Sequence, residues 1–105
     1  MEFGLAGKTA LVAASSQGLG KAIARALVLE GANVMITSRN EEKLHEVAEE
    51  LNSLHKGRVA YTRTDVTNAD DIRQLVAKTV ETFGTIDLLV NNAGVGIAGP
   101  IEQTE

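Results

Sequence analysis

The residues with the most distinctive chemistry are Ala13-Ala14-Ser15-Ser16-Gln17-Gly18-Leu19-Gly20, lodged between an apolar run and an amphipathic one. A helix opening at such a junction offers unpaired backbone N–H groups and a partial positive charge. A phosphate reaches those groups only where side chains leave the backbone bare. Gly18 and Gly20 clear that path, and Ser15 and Ser16 add hydroxyl donors. Two readings fit the glycines: a pyrophosphate cradle opening a dinucleotide site, or a glycine-rich strand-to-helix turn with no ligand. A P-loop does not fit. Ala22 stands where Ser or Thr must hold Mg²⁺, and Ser15 stands where the first glycine belongs. Lys21 then reads as an exposed helix residue.

Other chemistries narrow quickly. The chain has no cysteine, which excludes disulfides, thiolate metal sites and cysteine nucleophiles. His45 and His55 lie on or near the polar side of a helix and read as surface residues. A methyltransferase-type nucleotide fold would want an acid after the second strand to hold ribose hydroxyls, and Ser38 and Arg39 stand there instead. From spacing alone, Asp65 is a helix-flanking acid near a cap at Thr67, and Asn91-Asn92 a polar turn between strand and helix.

The elements that must position these residues are legible as alternating patterns. Four short apolar runs, 9–14, 33–37, 59–64 and 86–90, read as strands buried in a parallel sheet. Three stretches between them carry helical spacing. Leu19, Ala22, Ile23, Ala26 and Leu27 share a face; so do Leu44, Val47, Ala48, Leu51 and Leu54, and so do Ile72, Leu75, Val76, Thr79, Val80 and Phe83. Gly31, Gly57 and Gly84 follow the three helices where a C′ glycine sits. Asn40 and Thr67 read as N-caps, with Asp70 completing a box-like pair with Thr67. The βαβαβαβ order implies a right-handed, doubly wound α/β sheet of strand order 3-2-1-4. The third strand, with Thr62, Arg63 and Thr64, reads as an edge. The apolar fourth would be a bare edge too, covered by something further along or by another chain.

With 105 residues the chain makes one domain. A net charge of −4 argues against nucleic acid or an anionic membrane as partner. The N-terminus has an acid after Met1 and too short an apolar run for a signal peptide, and no run approaches a membrane span. A soluble, cytoplasmic protein is expected.

Three segments taken together, "GKTALVAASSQGLGKAIA", "RTDVTN" and "NNAG" at 91–94, resemble the short-chain dehydrogenase/reductase family in order and approximate spacing. The resemblance runs along essentially the whole chain. It implies a Rossmann fold and an NAD(P)(H)-dependent oxidoreductase that reduces carbonyls or oxidises alcohols by hydride transfer. The family loop is Thr-Gly-x-x-x-Gly-x-Gly; Gly18 and Gly20 match its last two glycines, while Ala13 and Ala14 replace its Thr and first Gly. The cofactor-binding set it implies is Ser15, Ser16, Gly18, Leu19, Gly20, Ser38, Arg39, Asp65, Val66, Asn92, Ala93 and Gly94. In this set Asp65, with Val66 beside it, holds the adenine ring. Asn91 and Asn92 begin the segment packing beside the cofactor ribose, and Ala93 and Gly94 let the backbone pass close to the ligand. NAD-preferring members commonly carry Asp at the Ser38 position. Here no acid repels a 2′-phosphate and Arg39 can pair with one, which favours NADP(H) over NAD(H).

The family's catalytic Ser, Tyr and Lys, the last two spaced Tyr-x-x-x-Lys, have no counterpart here. Tyr61 is the only tyrosine, and Asp65 stands four residues on. Residues 1–105 are therefore expected to be an NAD(P)-binding domain incomplete at its C-terminal end, with no metal site and no turnover by itself. Its partners would be a small-molecule carbonyl or alcohol substrate and further copies of itself in a homo-oligomer. The competing reading is a non-catalytic nucleotide-binding or self-associating half-Rossmann module.

Overall fold

The structure, a computed structural model, describes residues 4–13, 18–91 and 94–97. The chain runs β1 (Thr9–Ala13), α1 (Gly18–Leu29), β2 (Asn33–Ser38), α2 (Glu41–Asn52), β3 (Arg58–Arg63), α3 (Ala69–Phe83), β4 (Leu88–Asn91), β5 (Gly94–Ile97). The sheet order is β3-β2-β1-β4-β5, parallel from β3 to β4. The expected order 3-2-1-4 is therefore present, with β3 at an edge.

β5 corrects one expectation. It pairs antiparallel with β4, Asn91 opposite Gly94 and Leu88 opposite Ile97. The fourth strand is thus flanked by the chain's own next residues, and the segment expected as a strand-to-helix turn joins two strands. The physical reason is the alternation Gly94-Val95-Gly96-Ile97, a period-two pattern with β-branched residues, beside a row of unpaired backbone groups.

Both faces of the sheet are packed. Alternate strand residues Ala10, Val12, Val34, Ile36, Val59 and Val90 meet Ala24, Leu27 and Val28 of α1 and Leu44, Val47, Ala48 and Leu51 of α2. On the opposite face, Leu11, Met35 and Ile86 meet Leu75 of α3, with Val76 and Phe83 beside them. Asp87 ties β1 to β4: its Oδ2 accepts from Thr9 N at 2.9 Å, and its N–H donates to Thr9 O at 2.8 Å.

The face expected of α1 is only partly the buried one. Leu19, Ala22 and Ala26 are exposed, and Ala24, Leu27 and Val28 face the sheet. The helix is apolar around most of its circumference, so spacing alone does not select a side. Small Ala24 lets the helix lie close on the strands. In α3, Ile72 and Val80 are likewise exposed, while Leu75 and Thr79 are buried.

Helix ends agree in part. Asn40 caps α2, its side chain accepting from Lys43 N at 3.1 Å, and Gly84 ends α3 in the left-handed region at φ +92. Gly31 takes φ +88 just after α1. The cap of α3 is Asn68, not Thr67, because the Thr67 hydroxyl is engaged with Asp65; Asn68 Oδ1 accepts from Asp71 N at 3.1 Å. Asp70 consequently does not complete a box with Thr67. Gly57 is not the C′ residue of α2. That helix ends at Ser53, and the left-handed residue is His55 at φ +55. Gly57 is required by close approach instead: a Cβ there would run into the carbonyl oxygen of Ala32.

Candidate functional site at the carboxyl edge of the sheet

The parallel register brings the strand ends level. Ala13 of β1 lies opposite Thr37, Thr37 opposite Thr62, and Ser38 opposite Arg63. On the other side Val12 lies opposite Val90, next to Asn91. The chain leaves β1 towards β2, while α3 returns it to β4 on the far side of β1. Between β1 and β4 the winding therefore reverses, and the crevice outside the carboxyl ends at such a point is where open α/β sheets take ligands.

α1 starts at this crevice. Gly18 has φ +46, a conformation that L side chains rarely adopt, so glycine is needed there for backbone shape. Leu19 is 73% exposed, and the first turn of α1 holds no acidic residue to oppose an anion. Lys21 pairs with Glu50 of α2 at 2.8 Å, which gives this half-buried residue a bracing role. Ser15 and Ser16 lie outside the described residues.

After β2, Ser38 Oγ accepts from Asn40 N at 3.2 Å, forming a tight turn into α2. Arg39 is exposed beside it, with no acid before Glu41. After β3, Asp65 folds over its own backbone. Its Oδ1 accepts from Thr67 Oγ1 at 2.6 Å and Thr67 N at 2.9 Å, and its N–H donates to Asp71 Oδ2 at 3.0 Å. The hydroxyl and backbone bonds from Thr67 hold the Asp65 carboxyl below its ordinary range. Partial burial pulls weakly the other way, and the Arg39 and Arg63 guanidinium groups add to the lowering. Asp65 is therefore a fixed anion and a hydrogen-bond acceptor. Val66 is 60% exposed next to it.

The edge thus gathers Gly18, Leu19, Gly20, Ser38, Arg39, Asp65 and Val66. Asn92 and Ala93 lie outside the described residues, and Gly94 opens β5. Spacing did not disclose Thr67, which fixes Asp65, or Arg63, whose Nε donates to Arg39 O at 3.1 Å. The Asp-x-Thr run was a usable signal, since Asp side chains bond N–H groups two residues on. Tyr61 and His45 stand apart from this edge. Tyr61 OH and His45 Nδ1 lie 3.2 Å apart, and His45 Nε2 is 3.2 Å from Glu49. A separate cavity of about 350 Å³ lies at the opposite, amino end of the strands, lined by Leu5, Thr9, Ala10, Leu27 and Leu88 among others, so it is no part of this site.

Residues 8–105 match the family model for short chain dehydrogenase. The chain belongs to that family. Glucose 1-dehydrogenase of Gluconobacter oxydans is 40% identical over 98 residues, covering 93% of this chain and 37% of the relative. The 11-beta-hydroxysteroid dehydrogenase A of Sesamum indicum is 37% identical over 101 residues, covering 96% and 29%. Among solved structures, L-sorbose reductase of Gluconobacter frateurii, complexed with NADPH and L-sorbose, superposes over 100% of this chain and 40% of its own, with a TM-score of 0.84 and 35% identity. A short chain dehydrogenase of Mycobacterium smegmatis gives a TM-score of 0.81 at 42% identity, over 84% of this chain and 37% of its own. The chain therefore spans well under half the length of these relatives. Its parallel sheet in the order 3-2-1-4 is the family's NAD(P)-binding Rossmann fold. No described helix is long and apolar enough to cross a membrane.

Proposed function

We propose that this chain is the dinucleotide-binding part of an NADP(H)-preferring oxidoreductase acting on a carbonyl or alcohol substrate. The carrying observation is the pairing of Gly18, at positive φ on the opening turn of α1, with an acid-free turn at Ser38-Arg39 after β2. The first-turn N–H groups of α1 would hold the pyrophosphate. Arg39 would pair with the 2′-phosphate, and Asp65 would accept from the adenine amino group. Bound nicotinamide supplies the hydride chemistry; the residues of this chain bind and orient it. Support for the cofactor comes from the family's NADPH-complexed L-sorbose reductase and from an alcohol dehydrogenase of Thermococcus sibiricus complexed with 5-hydroxy-NADP. A Burkholderia phymatum family member complexed with NAD is the counterweight, and Arg39 tips the balance towards NADP(H).

Arg39→Ala tests this reading. NADPH affinity is expected to fall by about tenfold, the worth of one charge-assisted contact, while NADH affinity stays. An equal fall for both cofactors in a fluorescence titration makes Arg39 a structural residue and removes the NADP(H) preference.

A second reading concerns residues 1–105 taken alone: nucleotide binding without turnover, because Asp65 and not Lys stands four residues after Tyr61. In both readings the protein is cytoplasmic and self-associating, and takes a small molecule rather than nucleic acid.

A further inference from the structure

We propose that Arg63 is a second specificity-determining residue for the 2′-phosphate, acting beside Arg39. The inference rests on the NADP(H) reading above and deepens it.

Four observations converge on this residue. Arg63 is the last residue of β3 and lies directly opposite Ser38, the last residue of β2. Val34 and Ile36 of β2 pack with Val59 and Tyr61 of β3 on the α1–α2 face of the sheet. By the alternation of strand side chains, Ser38 and Arg63 also belong to that face. Arg63 is therefore the cross-strand neighbour of the position where an NAD-selecting acid would stand. Its guanidinium is also anchored: Nε donates to Arg39 O at 3.1 Å, across the strand pair. That single bond uses one of five N–H groups and tethers the guanidinium beside the Arg39 backbone, the other four forming a fork suited to phosphate oxygens.

Charge points the same way. At the ends of β2 and β3 stand two exposed arginines, Arg39 and Arg63, against one carboxylate, Asp65. Asp65 is committed to the Thr67 backbone and hydroxyl through Oδ1. It does not form an ion pair within 4 Å with either arginine among the described residues, so both guanidinium groups keep charge to offer. Glu41 and Glu42 follow in the first turn of α2, where the helix N-terminus itself favours them. A phosphate monoester carries close to two negative charges at neutral pH, and two forks can meet it where one leaves charge uncompensated.

NAD⁺ and NADP⁺ differ only in the 2′-phosphate, so their binding by isothermal titration to the unaltered chain, Arg63→Gln, Arg63→Lys and Arg39→Ala separates the possibilities. Arg63→Gln is expected to weaken NADP⁺ binding by about tenfold and leave NAD⁺ binding unchanged. Arg63→Lys, which keeps the charge, should recover part of that loss. Arg39→Ala should retain a residual preference for NADP⁺, supplied by Arg63; this measurement decides the matter even if Arg63→Gln does not fold. Equal weakening of both nucleotides by Arg63→Gln makes Arg63 only a brace for the Arg39 turn and overturns the proposal. Complete loss of preference in Arg39→Ala also overturns it, yet leaves the NADP(H) reading intact. If the unaltered chain itself prefers NAD⁺, the NADP(H) reading falls and this proposal with it.

Discussion

Asp65 and Thr67 work as a unit. The carboxylate accepts twice from one residue two positions on, and those bonds are stronger to the ionised group than to the protonated one. Its pKa is therefore depressed in the folded chain relative to the unfolded one. The stability this contributes is present above the ordinary carboxylate value of 3.8 and is lost as pH falls through the lower folded value. Thr67→Val removes the hydroxyl and keeps the shape and the backbone bond. The expected result is a rise of the Asp65 pKa part of the way back to 3.8, read by carboxyl-carbon NMR titration. An unmoved titration would mean that the backbone N–H and the arginines hold the carboxylate by themselves. At this scale position was legible for Ser38, which ends β2, for Arg39 just after it and for Asp65 after β3, but not for Asn91, which leads into a strand and not a helix. The sequence was opaque where a contact crosses strands, as between Arg63 and Arg39, because such contacts depend on a register that spacing within one segment does not carry.

Among the elements, the helix starts make the sharpest comparison. Asn40 was readable as a cap because its immediate neighbour, Arg39, is not a capping type. At α3, Thr67 and Asn68 are adjacent and both are suited to capping, and the choice falls to whichever is not already bonded. Thr67 is committed to Asp65, so Asn68 caps. Asn68→Ala should accordingly destabilise the chain by about 1 kcal/mol in a urea unfolding series, the usual worth of an N-cap. Thr67→Val should leave the helix cap itself untouched. An Asn68→Ala chain as stable as the original would return the cap to Thr67. The packed side of α1 was unreadable for a different reason: Leu19, Ala22, Ile23, Ala26, Leu27, Val28 and Leu29 leave hardly a polar face to exclude. The α2 face was readable because charged residues fill its other side.

For the whole molecule, the question is what its remaining apolar surface does. Leu19 and Leu29 on α1, Ile72 and Val80 on α3, Val66 beside the site and Leu89 on β4 are all exposed. The strand edge that sequence reasoning expected to drive association is covered by β5, so the drive passes to the helix faces. Self-association is expected in sedimentation velocity at micromolar concentration; a single species of 11.1 kDa would show that these faces tolerate water. The overall winding was legible because alternating strand and helix patterns admit few right-handed arrangements. The fifth strand was missed because four residues with two glycines carry almost no signal until a neighbouring edge is there to receive them.

That strand has a consequence in time. A hairpin closes in about 1–10 μs, whereas a ribosome adds only about 5–20 residues per second. During synthesis, therefore, β4 is covered by its own continuation almost as soon as Ile97 is free to fold. The two residues between Asn91 and Gly94 keep the closure local and fast. The β4 backbone groups that β5 occupies are the same ones any later strand would need, so a newcomer must exchange for β5 bond by bond. The hairpin thus buries the β4 edge early and passes the role of outer strand to β5, whose four residues leave only a short edge.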